Sequence, residues 1–169
     1  MRVLVKIIGA ALLAGTALAG CSSGPPVVAK ADLEGDISNR LSEAGEPPQS
    51  VTCVSDLEGV VDKTITCEVV LSETNAIEPI VKVTEVDGTT VSYEMTPALS
   101  QAQLEKSVTD LVTESAGSEP TGVACKTGLV GEPDTTAECS MELDGEPLDV
   151  VASVTTVDGL LMNFEVNQV

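Results

Sequence analysis

The chain has 169 residues, with 8 Lys and Arg against 27 Asp and Glu, no His, and a formal net charge of −19. One Tyr, one Phe and no Trp leave no aromatic platform for bases or sugars, the acidic balance leaves no basic footprint for nucleic acid, and the missing His removes the commonest general base and zinc ligand. A hydrophobic content of 43% still keeps it outside the disordered class.

The first element in chain order is a targeting segment. Arg2 and Lys6 precede an apolar run from Ile7 to Leu18 that is too short to span a bilayer, which takes about 20 residues. The run ends in Leu18-Ala19-Gly20-Cys21, followed by Ser22-Ser23-Gly24-Pro25-Pro26. This order resembles the lipobox of bacterial lipoproteins. The resemblance implies a signal peptide over 1–20, cleavage before Cys21, diacylglycerol on its sulfur, and a location on the extracytoplasmic face of the cell membrane. A flexible tether over 21–30 is expected to follow. With Cys21 set aside, Cys53, Cys67, Cys125 and Cys139 remain, spaced 14 and 14. Spacing and an oxidising compartment select the pairs Cys53–Cys67 and Cys125–Cys139. A zinc site from the same thiols lacks the close C-x₂₋₄-C pairs that such sites use.

The rest of the chain is an internal repeat, read as one unit over 31–97 and another over 98–169. Cys53 and Cys125 lie 72 apart, as do Leu57 and Leu129, Gly59 and Gly131, and Cys67 and Cys139. Downstream, Val83-Thr84-Glu85-Val86-Asp87-Gly88 matches Val154-Thr155-Thr156-Val157-Asp158-Gly159 at an offset of 71, and Tyr93 shares its slot with Phe164. Each unit reads as α+β, one helix packed on a four-stranded antiparallel sheet with one internal disulfide.

In the first unit Leu33, Ile37, Leu41 and Ala44 give a helical stripe ended by Gly45 and Pro47-Pro48. The second helix carries Leu104, Val108, Leu111 and Val112. It opens on a Ser100/Gln103 capping box with a Leu99–Leu104 staple and closes at Gly117 and Pro120. From Thr136 to Asp144 apolar and polar residues alternate, with Ala137, Cys139, Met141 and Leu143 on one face, so the disulfides are expected in the core beneath the helices. The Asp-Gly pairs mark the last hairpin of each unit. A three-residue loop Val86-Asp87-Gly88 with a G1 bulge would set Val83 opposite Val91 and Val81 opposite Tyr93. The same choice pairs Val154 with Met162 and Ala152 with Phe164.

A Cys, a stretch with Leu, the strand Asp62-Lys63-Thr64-Ile65-Thr66-Cys67 and its counterpart Asp134-Thr135-Thr136-Ala137-Glu138-Cys139, followed by alternation broken at Asp-Gly, resemble the actinobacterial family called domain of unknown function 4333. The resemblance covers about Ala31 to Val169 in two copies and implies a short exported protein, often lipid-anchored, with no established activity. Where that family often has Pro after the first Cys, Val54 and Lys126 stand. Where Gly often opens the second Cys strand, Asp62 and Asp134 stand, residues that tolerate the backbone conformations Gly supplies.

No G-x-S-x-G elbow, P-loop, dinucleotide fingerprint or C-x-x-C motif occurs, so no enzyme activity, cofactor or metal is expected. The expected function is a lipid-anchored, non-catalytic interaction or binding module of the cell envelope, held to the membrane through Cys21 and meeting an envelope protein or cell-wall partner. The alternative is a small-ligand or cation carrier using a cleft between the repeats or the acidic loops Ser55 to Asp62 and Gly131 to Asp134.

Overall fold

The computed structural model describes residues 24–73 and 75–169. Val27–Val28 (β1), Lys30–Glu43 (α1), Ser50–Cys53 (β2), Leu57–Glu58 (β3), Thr64–Val70 (β4), Ala76–Ile77 (β5), Ile80–Asp87 (β6) and Thr90–Thr96 (β7) make the first half. The second half consists of Ala98–Leu99 (β8), Gln101–Ala116 (α2), Thr121–Cys125 (β9), Leu129–Val130 (β10), Thr136–Leu143 (β11), Glu146–Asp158 (β12) and Leu161–Gln168 (β13). The sheets run β2-β4-β6-β7 and β9-β11-β12-β13, all antiparallel, each with one helix and one disulfide, so the fold is α+β in two repeat-like halves.

Two miniature ladders, β1 with β3 and β8 with β10, have no counterpart in the sequence reading, because two-residue strands carry no period. The first of them shortens the expected tether: Val27 and Val28 are already paired, and α1 begins at Lys30. At both ladders a proline carbonyl takes a glycine amide, Gly59 N–H to Pro26 and Gly131 N–H to Pro97, each at 2.7 Å. A methyl group on either glycine would lie 2.8 Å from that carbonyl oxygen, so only glycine lets the backbones approach.

The helices bury the expected stripes. Leu33, Ile37, Leu41, Leu104 and Val108 are fully buried and Val112 nearly so. Two residues depart from the stripe. Ala44 caps α1 at its C-terminus and is exposed, and Leu111 is 39% exposed. The Ser100/Gln103 capping box forms as expected, and Leu99 and Leu104 are both buried. Asp62 and Asp134, opening the second Cys strands, have φ of 67° and 63°, the left-handed conformation for which glycine is the default.

The last hairpins differ from expectation. Val86 pairs Val91 and Asp87 pairs Thr90, so the loop is Gly88-Thr89, with Gly88 at φ 60° in its first position. The extra residue sits inside the strand, at Thr84, and beyond it Val83 faces Tyr93 and Val81 faces Met95. The second half repeats this, with loop Gly159-Leu160, a bulge at Thr155, Val154 opposite Phe164 and Ala152 opposite Val166. The apolar faces meet as the pattern requires, but every partner is two residues further along. A shift of one full pleat preserves the buried face and is invisible to a pattern of period 2.

One hydrophobic cluster runs through both halves, and among the described residues no polar or charged residue is buried. β7 passes through Pro97 directly into β8, and the Glu78 N–H donates to the Ala98 carbonyl at 2.7 Å. The third strand of the first sheet is broken at Glu78-Pro79, whereas β12 runs unbroken for 13 residues after the Asp144-Gly145 turn, where both φ are positive (54° and 84°).

Candidate functional site

The helix–sheet seam is where the halves diverge. In the first half, Asp36 on α1 accepts two hydrogen bonds from the Arg40 guanidinium at 3.1 Å and one from the Tyr93 hydroxyl at 3.0 Å. Burial and then the neighbouring Asp36 carboxylate push the Tyr93 hydroxyl above its ordinary pKa, and the hydrogen bond to Asp36 raises that of Arg40. At the matching positions of the second half stand Ser107, Leu111 and Phe164. There the seam lies open as an apolar cleft of about 450 Å³, lined among others by Leu111, Val112, Leu143, Leu148, Phe164 and Val166.

The corresponding ground in the first half is occupied. Leu160, at the tip of the β12–β13 hairpin, is only 5% exposed although it stands in a turn. It lines one space with Arg40, Leu41, Ala44 and Met95, and another with Leu71 and Ile77. Those residues are the first-half counterparts of the lining of the second-half cleft. Thr89, the matching hairpin residue of the first half, is exposed. The hairpin of the second half thus seats its leucine in the seam of the first, beside a remaining space of about 390 Å³, whereas the lining of the second seam includes no hairpin tip.

The four expected cysteines come together as read. Cys53 faces Cys67 across β2 and β4, Cys125 faces Cys139 across β9 and β11, both pairs are disulfide-bonded, and all four are buried. Cys21 and the segment 1–20 lie outside the described residues. Two glutamates were missed by the sequence reading. Glu34 accepts the Cys53 N–H at 2.9 Å and Glu105 accepts the Cys125 N–H at 3.0 Å, so each helix is tied to the first disulfide strand by a carboxylate. The hydrogen bond from the Cys125 amide, and then one from Gln101, hold the Glu105 carboxyl below its ordinary value. Their shared offset of 71, the same as the helix stripe, was the signal that could have found them.

The carboxylates of the first acidic loop, Ser55 to Asp62, are engaged within the fold. Asp56 accepts the Lys30 N–H at 2.8 Å, capping α1 from across the fold because Ala29 offers no side chain for it. Glu58 pairs with Lys63, Asp62 with Lys82, and Lys126 with Glu138. Among the described residues no group of three or more His, Cys, Asp or Glu could hold a metal ion, and no helix is long and apolar enough to cross a membrane.

A family model described as Domain of unknown function (DUF4333) matches residues 12–88 and again 89–159. No curated protein and no solved structure matches the chain.

Proposed function

The chain belongs to the DUF4333 family, in two tandem copies, and from that premise we propose that it is a lipid-anchored protein of the extracytoplasmic membrane face that works as a non-catalytic interaction module. The observation that carries the reading is the open apolar seam of the second half, a concave surface whose lining is mostly aliphatic and aromatic and contains no converging set of titratable groups. Such a surface recognises by burial rather than by chemistry.

The anchor reading rests on Leu18-Ala19-Gly20-Cys21 and has support from the surface nearest to it. Pro26 is five residue steps from Cys21, a reach of at most about 18 Å when fully extended. Around that point of entry Val27, Val54, Val60 and Val61 are exposed, where the second half carries Ala98, Lys126, Glu132 and Pro133. Valines suit the neighbourhood of a bilayer, and the acidic remainder is repelled by anionic head groups, so the second half with its open seam stands away from the membrane.

Mass spectrometry of the protein from cells should find an acylated Cys21 at the mature N-terminus, and Cys21→Ala should release the chain from the membrane fraction. An unmodified Cys21 refutes the anchor. Photo-crosslinking on intact cells from a probe at Leu111 should capture a discrete partner, and a probe at Leu111 that captures only lipid refutes the interaction role. The volume of the seam also favours a second reading, a small apolar ligand, which co-purifying material in native mass spectra would reveal.

A further inference from the structure

We infer that the open seam of the second half is a receptor for a β-hairpin tip of another protein, one that presents an aliphatic side chain directly after a turn glycine that follows a neutral or basic residue. The inference rests on the interaction-module reading and names its partner.

The molecule contains the bound form of this interaction. In the first half, the same seam receives Gly159-Leu160 from the neighbouring unit and removes all but 5% of the leucine from solvent. The lining is matched position by position: Leu41, Ala44, Leu71, Ile77 and Met95 on the occupied side correspond to Val112, Ser115, Leu143, Leu148 and Val166 on the open one. A seam built to that pattern leaves aliphatic surface in water when empty, and a buried leucine contributes about 1.5–3 kcal/mol to whatever fills it.

Two differences decide which hairpin fits. Asp158 shares its space with Arg40 in the first half. The residue at the position of Arg40 in the second half is Leu111, and Glu165 lines that seam with no cation among the lining residues, so an acidic residue before the turn glycine would meet an uncompensated carboxylate. The free hairpin of this same chain, Asp87-Gly88-Thr89, carries both the unfavourable aspartate and a threonine in place of leucine. A second copy is therefore selected against.

The probe is a peptide carrying residues 153–165 of this chain, cyclised between its ends because Ser153 and Glu165 face each other across the hairpin, with D158N introduced. Titrated into the mature full-length chain in detergent and followed by NMR, it should shift the resonances of Leu111, Val112 and Phe164. A Leu160→Thr change in the peptide should weaken binding at least about tenfold, as should Leu111→Arg or Ser115→Arg in the protein, and the peptide with native Asp158 should bind several-fold more weakly than D158N. Leu111 is 39% exposed and Arg stands at the matching position in the first half, so Leu111→Arg should leave the melting temperature unchanged; Ser115→Arg, at an exposed position, provides an independent change in the same lining.

No binding at millimolar peptide, binding indifferent to both protein variants, self-association of the chain abolished by Leu111→Arg, or an acyl chain held in the seam that the peptide does not displace would each overturn the inference. A chain acylated at Cys21 that captures an envelope protein through another surface would keep the functional reading and sink this one.

Discussion

The two halves share a frame and differ in what closes it. Both have a carboxylate from the helix on the amide of the first paired Cys, a glycine under a proline carbonyl, an aspartate in the left-handed region and a bulge at the same threonine. The first half fills its seam in part from two sides, with the Arg40–Asp36–Tyr93 set and with a leucine borrowed from its neighbour. The second is left open. The two copies thus differ at matched positions in whether a neighbouring hairpin enters the seam.

The largest effect should come from the disulfides, which the halves share. Each closes a loop of about 15 residues, worth around 3 kcal/mol in the chain-entropy model. Cys53→Ala with Cys67→Ala, and Cys125→Ala with Cys139→Ala, should each lower the unfolding free energy by roughly that amount in urea titrations. Because one core runs through both halves, either pair should shift a single transition for the whole chain. Two separate transitions would show that the halves do not fold as one body.

The hairpin tips come next. Leu160→Thr gives the second hairpin the residue of the first, and removing so buried a leucine should cost about 2–3 kcal/mol. The reverse change, Thr89→Leu, puts leucine on an exposed turn and should move stability by less than about 0.5 kcal/mol. Equal effects at the two tips would mean that Leu160 is not seated in the first half's seam.

These pairs show what the sequence made legible. The disulfides, the capping box and the aspartates opening the second Cys strands depend on local chemistry at fixed spacing, and they stand where they were expected. The hairpin partners moved by one pleat because two-fold alternation fixes which face a residue takes and not which neighbour it meets. Leu160 was the harder case: Gly159-Leu160-Leu161 against Gly88-Thr89-Thr90 is a visible polarity change at matched positions, but burial of a turn residue is a tertiary fact that no local pattern encodes. The same holds for the seam of the second half, which no hairpin among the described residues fills.

Helix starts give a smaller comparison. α2 is capped by its own Ser100, and α1 by Asp56 from a distant loop. At the position of Asp56 the second half has Gly128, where a methyl group would lie 2.3 Å from the Leu99 carbonyl oxygen. Asp56→Ala should cost about 1 kcal/mol as a lost cap, while Gly128→Ala should cost more, about 1–3 kcal/mol, because backbone must move. Thermal melts of the two variants rank them; the opposite order would show that β8 yields easily at this point.

The smallest effects are those of pH, and they separate the halves by sign. The hydroxyl of Tyr93 titrates above its ordinary value of 10.0 in the folded chain, through burial first and Asp36 second, so the stability tied to it is fully present below pH 10.0 and lost as pH rises through the folded value. Phe164 has no proton to lose, and Tyr93→Phe should therefore flatten the alkaline limb of the stability profile while also removing the hydrogen bond to Asp36 at neutral pH. At the acid end the order is reversed. Glu105 titrates below its ordinary 4.5, so its contribution is present above that pH and lost as pH falls through the folded value, and Glu105→Ala should flatten the acid limb. A Tyr93→Phe chain whose alkaline limb keeps its slope would place the hydroxyl in contact with water rather than in the seam, and would leave Leu160 as the sole closure of the first half.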